Sequence, residues 1–313
     1  MVIKPSAVVA GVVVVTGLLL AGCGSGPNQA GSAAIVGNTV ISLDAVQQEV
    51  TTAVATQSVA KQAQSQGQLD AISREVLTER IMHQVTAAAA AKYGITVSDA
   101  DVDAYISKSG GIDKIASPVL SADDQRATAR DQLIEAKYAT GFVDSLGVTF
   151  DYFAADTEAD AVAQAKQVAA KPSEFESMAS SVASQGGDAN VNQTYTLAQY
   201  LQNTSGVLAP MFGAQPNTVL VFSPNLGQSQ EVWYVMKIDK RTGGMPLTVP
   251  SAAAKNANTA VLASVGTSLL RSVAQSLPIR ISPRYGAWDP VSMQVVGSTD
   301  TASVLEFPVG NQK

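Results

Sequence analysis

Residues 92–103 read KYGITVSDADVD, and the way this stretch divides decides the fold around it. Gly94 supplies the left-handed conformation in which many helices end. Four residues on, Ser98 and Asp101 stand at the spacing of a capping box, so a new helix opens there. Upstream, a helix from about Leu69 to Lys92 carries Leu69, Ile72, Val76, Leu77, Ile81 and Val85 on its apolar side. It ends in the run Ala87 to Ala91, which permits close helix contact. Before it, Ser42 reads as the cap of a helix through Gln66, striped by Leu43, Val46, Val50 and Val54 and stopped by Gly67. Residues 33–41, AAIVGNTVI, hold two β-prone runs about Gly37-Asn38, either a small hairpin or two strand fragments. Downstream, Ser121-Ala122-Asp123-Asp124 starts a further helix carrying Leu133, Ile134 and Tyr138. A helical domain to about residue 146 is expected.

The 313 residues are 46% hydrophobic but only 15% charged and 5% aromatic, so the chain is too apolar for disorder. Net charge is −6, the pI is near 4.8, and Lys and Arg form no cluster, which argues against nucleic-acid binding. One cysteine and one histidine rule out an intrachain disulfide and a Cys/His zinc site. Any Ser-His-Asp machinery would have to use His83, and the sequence supplies that histidine with no evident nucleophile or fellow ligand. Asp99, Asp101 and Asp103 imitate the opening of an EF-hand loop, but Ala104 and Gly110 stand where such a loop needs Gly and Glu. As the first turn of a helix these carboxylates need no metal. No phosphate or dinucleotide fingerprint occurs, and no cofactor is expected.

The first residues carry their own signal. Lys4 precedes an uncharged run from Ala7 to Ala21, the length of a signal-peptide core and short for a bilayer span. It ends in Leu20-Ala21-Gly22-Cys23, which resembles the lipobox of bacterial lipoproteins. The resemblance implies peptidase recognition of Leu20, Ala21 and Gly22, cleavage before Cys23 and acylation of Cys23. Several acyl chains anchor stably where one is marginal. The expected divisions are a signal peptide at 1–22 and a flexible tether at 23–32.

The ordered set Val36-Gly37-Asn38-Thr39-Val40-Ile41-Ser42, then Arg74-Glu75-Val76-Leu77-Thr78-Glu79-Arg80-Ile81, then Lys92 to Asp103, resembles the N-terminal chaperone domain of the SurA/trigger-factor-like family of extracytoplasmic folding factors. The resemblance covers residues 33–146. After it, Val148 to Phe153 reads as a strand. A helix opens at Thr157-Glu158-Ala159-Asp160, a shorter one follows Pro172 and ends at Gly186-Gly187, and β-rich runs occupy 218–223 and 231–239. This order resembles a parvulin-type prolyl isomerase domain at 147–241. The family carries one histidine on its first strand and another on its last; here the first strand has none and the last-strand position falls on Tyr234. The family's Cys or Asp near the Gly-Gly turn is not evident either, with Ser180, Ser181 and Ser184 in that stretch. Its apolar proline pocket would survive as Val207, Met211 and Phe212, which together with Tyr234 form the candidate peptide-binding residues; simple core packing explains the first three equally well. No catalytic residue is assigned.

Beyond Pro246 and Pro250, Ser251 is expected to cap a helix with Val261, Val265, Leu269, Val273 and Leu277 at four-residue spacing. Such a stripe must be buried. The SurA resemblance implies that segment 242–290 returns to complete the N-terminal domain. Residues 279–288, IRISPRYGAW, alternate in apolar character and read as a strand pairing near Ile35. Residues 291–313 read as an irregular tail. The fold class expected is α+β: a mainly helical SurA/trigger-factor-like domain completed by a C-terminal helix, with an inserted parvulin-like α+β domain. The function implied is that of a lipid-anchored extracytoplasmic chaperone, a holdase for unfolded or nascent exported polypeptides. The alternatives are a prolyl isomerase with a non-standard site, against which the missing histidines weigh, and an envelope assembly lipoprotein dedicated to one partner.

Overall fold

The computed structural model describes residues 31–117, 119–203, 208–224, 231–243, 254, 257–297 and 303–310. The chain begins with the hairpin β1 (Ser32–Val36) and β2 (Thr39–Ser42), in which Val36 stands opposite Thr39. Gly37 takes φ 59° at the first turn position, a conformation only glycine adopts without strain. β1 therefore starts at Ser32, inside the stretch read as tether. Ser42 accepts the backbone N–H of Ala45 and opens α1 (Leu43–Thr56). The helix read as continuous to Gln66 is broken at Gln57, which turns extended (φ −107°, ψ 132°) before α2 (Ser58–Ser65) resumes. The stretch around the break, ATQSVA, contains β-branched and hydroxyl residues that weaken a helix.

Helix α3 (Leu69–Tyr93) ends at Gly94 in the left-handed conformation, and α4 (Asp99–Lys108) opens with both halves of the Ser98–Asp101 capping box formed. Ser121 caps α5 (Ala122–Thr140). The aspartates that imitate a calcium loop are otherwise engaged. Asp101 holds the cap, and its carboxyl lies below the usual range because of the Ser98 hydrogen bonds. Asp99 pairs with Arg130, and Asp103 with Arg126.

The next segment builds an antiparallel sheet from β3 (Gly147–Ala155), β4 (Ala189–Thr196), β5 (Thr218–Phe222) and β6 (Trp233–Thr242). Two helices, α6 (Glu158–Ala170) and α7 (Phe175–Ser184), connect β3 to β4. They cover one face over Phe153, Val219, Val221, Trp233 and Val235. The opposite face, with Phe150, Leu220, Phe222, Met236 and Ile238, packs into the main core. Two short helices, α8 (Leu197–Asn203) and α9 (Pro210–Gly213), bring Leu197, Tyr200, Met211 and Phe212 into that core.

The chain then returns. Asn258, not Ser251, caps α10 (Thr259–Leu269), accepting the N–H of Ala260 at 2.8 Å; Ser251 lies outside the described residues. α10 lies along α5. A Cβ on Gly266 would stand 2.2 Å from the carbonyl oxygen of Glu135, so glycine is what allows this approach. The single long stripe read in the sequence is divided: Val265 and Leu269 are buried on α10, and Val273 on the separate turn α11 (Arg271–Ala274). β7 (Ile279–Ile281) pairs antiparallel with β1, placing Arg280 opposite Ile35. The small sheet runs β2-β1-β7.

The last stretch is not irregular. β8 (Ala287–Asp289) and β9 (Gln294–Val296) form a hairpin, and the N–H of Val295 donates to Thr78 on α3. β10 (Val304–Pro308) adds to β5, completing a five-stranded sheet of order β10-β5-β6-β3-β4. The architecture is α+β, with the helical part closed by the C-terminal return and the sheet part inserted between.

Candidate functional site

Tyr152 on β3 and Tyr234 on β6 occupy the two strands on which the resembled parvulin family carries its histidines. Their register places Ala154 opposite Tyr234 and Tyr152 opposite Met236, and the two rings meet edge-on with centroids 6.0 Å apart. Between them reaches Asp188, the residue directly after Gly186-Gly187. Gly186 sits at φ 82°, and a Cβ on Gly187 would lie 2.6 Å from a Val182 methyl. The turn is thereby tight enough to bring Asp188 against β3, where its carbonyl accepts the N–H of Ala154 at 2.7 Å. Its side chain is clamped between the phenols: Tyr152 Oη donates to Oδ1 at 3.0 Å and Tyr234 Oη to Oδ2 at 3.2 Å.

The two tyrosines are half-buried and Asp188 is exposed. Burial, then the Asp188 carboxylate, hold both phenols above their ordinary range. They are therefore neutral donors throughout the physiological range, and neither serves as a base near pH 7. Phe222 stacks on Tyr234 at 5.9 Å, while Phe150 lies between Tyr152 and Tyr195 at 6.1 and 5.7 Å. Two half-buried phenols with fixed hydroxyls thus lie over buried Phe150 and Phe222 beside one exposed carboxylate, with no imidazole or nucleophile among the described residues of the cluster.

The candidate residues fare differently. Met211 and Phe212 are fully buried. Phe212 packs edge-on against Tyr200 at 5.0 Å, and Gly213 lies hard against the carbonyl of Ser268. These two side chains fill the space between the sheet and α10 and present no surface to a peptide, which corrects the pocket reading. Val207, and the Leu20, Ala21, Gly22 and Cys23 of the lipobox, lie outside the described residues. Of the four proposed peptide-binding residues, Tyr234 alone is shown at a partly open surface. Asp188 was missed although its signal was present: it follows the Gly-Gly turn where the family places a Cys or Asp. Tyr152 had no signal beyond its strand.

A second polar constellation lies between α3 and α5. His83 is not unaccompanied: its Nδ1 lies 2.7 Å from Asp131 Oδ2. That hydrogen bond holds the imidazole above its usual range, and burial raises the Asp131 carboxyl. Together they retain a proton more firmly than either group would in water. Arg80 reaches Asp124 at 2.7 Å and Glu49 at 3.6 Å. Farther in, Glu135 is buried, accepts from the hydroxyls of Thr86 and Thr267, and is pushed up to about 8 by burial. Among the described residues no group of acidic, His or Cys side chains is arranged to hold a metal, and no helix is long and apolar enough to cross a membrane.

Comparison with known proteins bears on these features. No curated protein matches the chain. Among solved structures it is similar to the foldase protein PrsA from Streptococcus pneumoniae, at 14% identity over 76% of this chain and 88% of that one, with a TM-score of 0.25. The family model of the SurA-like N-terminal domain matches residues 4–112. That match spans about a third of the chain and takes in the hairpin, the long helix α3 and the capping box of α4, so the likeness to the SurA-like family lies in the N-terminal part.

Proposed function

We propose that this protein is a chaperone that holds unfolded exported polypeptides outside the cytoplasm, tethered to the membrane by lipid on Cys23, and that it is not an efficient prolyl isomerase. The observation that carries this reading is the Tyr152–Asp188–Tyr234 clamp. On the strands where parvulins carry histidines, the chain has two neutral phenols tied to one carboxylate. An isomerase stabilises a twisted amide in a dry, shaped pocket. Here Met211 and Phe212 pack into the core, and what stays partly open is the edge of two tyrosine rings, which suits contact with apolar segments of many sequences rather than enclosure of one proline. The SurA-like N-terminal domain supports the same reading. The proposed division is a signal peptide at 1–22, a tether at 23–32, the SurA-like domain at 33–146, the parvulin-like domain at 147–241 and the returning segment after 242.

The test is suppression of aggregation. The chain from Ser25 onward retains every described residue and should keep a denatured client soluble at near-stoichiometric ratios. No suppression would contradict the holding function and favour a scaffold dedicated to one partner. The anchor is tested separately. Cys23→Ala should leave the precursor uncleaved and abolish metabolic labelling with fatty acid, whereas normal processing of that variant would remove the lipid from the account.

A further inference from the structure

Among the described residues four strands end a sheet in the two larger sheets, and three of them carry the features that discourage further pairing. β10 has Glu306 and Pro308, β7 has Arg280, and β4 is kinked at a bulge near Asn192, which adopts φ 53°. β2 has none of these. Its sequence is Thr39-Val40-Ile41-Ser42, with no charge and no proline, and Val40 is 42% exposed. Among the described residues it pairs with β1 alone. In a hairpin closed by Val36 and Thr39, alternation of the ladder turns the N–H and C=O of the next residue, Val40, away from β1.

This edge forms one wall of a cleft of about 340 Å³ whose other walls are α3 and α5. The charges in the cleft are unbalanced. Arg80 is taken up by Asp124 and Glu49, and His83 by Asp131. Glu79 has neither: among the described residues its hydrogen bond comes from the Thr128 hydroxyl at 3.4 Å, a long contact for a carboxylate. Burial, with the charges of Glu75 and Asp131, raises its carboxyl above the usual range. Ala45, Leu120 and Ala127 line the same space, which suits the methylene stem of a long cationic side chain.

We infer that the free edge of β2 pairs with an extended segment of client polypeptide, and that a lysine or arginine of that segment enters the cleft to meet Glu79. The inference rests on the polypeptide-binding function proposed above and gives it a place and a preference. Backbone pairing supplies sequence-tolerant affinity, as in other strand-addition complexes. The cleft selects a cation, because Glu79 gains the charge-assisted partner it lacks.

The test uses the full chain in nanodiscs and a short fluorescent peptide of β-forming residues with Lys, norleucine or Glu at its centre. Fluorescence anisotropy should show the Lys peptide binding about tenfold more tightly than the norleucine peptide and the Glu peptide weakest. Glu79→Gln should equalise Lys and norleucine, and N-methylation of alternate amides of the Lys peptide should abolish binding without altering the protein. Equal affinity for Lys and norleucine on the unaltered chain, or full binding of the N-methylated peptide, would overturn the inference. So would self-association of the chain through β2 that excludes the peptide. If these results fail while the chain still suppresses client aggregation, the β2 site falls and the holding function stands; if suppression fails too, the function itself is wrong.

Discussion

Glu135 shows how much one side chain can depend on its surroundings. It lies at the junction of α3, α5 and α10, accepting from Thr86 and Thr267, with Asp131 and Glu79 adding like charge nearby. Its carboxyl moves from 4.5 to about 8 on folding, chiefly through burial. The folded state therefore keeps a proton that the unfolded chain gives up. Its stabilising contribution is full below about 4.5 and is lost as pH rises through the folded value near 8. Glu135→Gln removes the ionisation, its amide oxygen still accepting from one threonine hydroxyl while its NH2 donates to the other; it should stabilise the fold by about 3 kcal/mol near pH 7 and flatten the fall in stability between pH 5 and pH 8. Urea unfolding at both ends of that range measures it; an equal loss in variant and parent would contradict it. The sequence does not show this role, because Glu135 reads as an ordinary charge between Ile134 and Ala136. Asp188 is the opposite case, since it directly follows the Gly186-Gly187 turn, a signal that the sequence carries beside Ser180, Ser181 and Ser184.

At the scale of elements, local signals proved reliable where the physics is local. Gly94, Ser98, Ser121 and Thr157 punctuate helices through hydrogen bonds within a few residues, and each does so in the structure. Elements that depend on distant partners were harder to read. β4, ANVNQTYT, is polar and became a strand because β3 lies beside it. β10 is a short run in a stretch without periodicity, and it exists because β5 offers a free edge. β10 is also joined to the returning helices through the buried ion pair of Glu306 with Arg271. Removing one partner of such a pair leaves an uncompensated buried charge. Glu306→Ala should therefore cost about 3–5 kcal/mol, and adding Arg271→Met should restore much of it. Denaturant unfolding of the single and double variants measures both; equal stability of Glu306→Ala and parent would show that β10 is not held this way.

At the scale of the whole molecule, the helical part and one face of the sheet share an interior, while the sheet's other face has its own core beneath α6 and α7. Phe150 and Met236 of the sheet, Phe212 of α9, and Val265 and Leu269 of α10 belong to the same core, so the inserted sheet is packed into the helical part through its second face. That packing explains why Met211 and Phe212 are absent from the surface, while Tyr152 and Tyr234 stay half-buried beside the exposed Asp188. The central claim is that the protein holds chains and does not turn over prolines. It is tested most directly by the refolding time course of a client whose slow phase is limited by proline isomerisation, recorded over a range of chaperone ratios. The account predicts that the slow rate constant stays unchanged at well below stoichiometric amounts and that the yield of folded client rises only near equivalence. Acceleration of the slow phase at small catalytic amounts, lost on Tyr234→Phe, would contradict it.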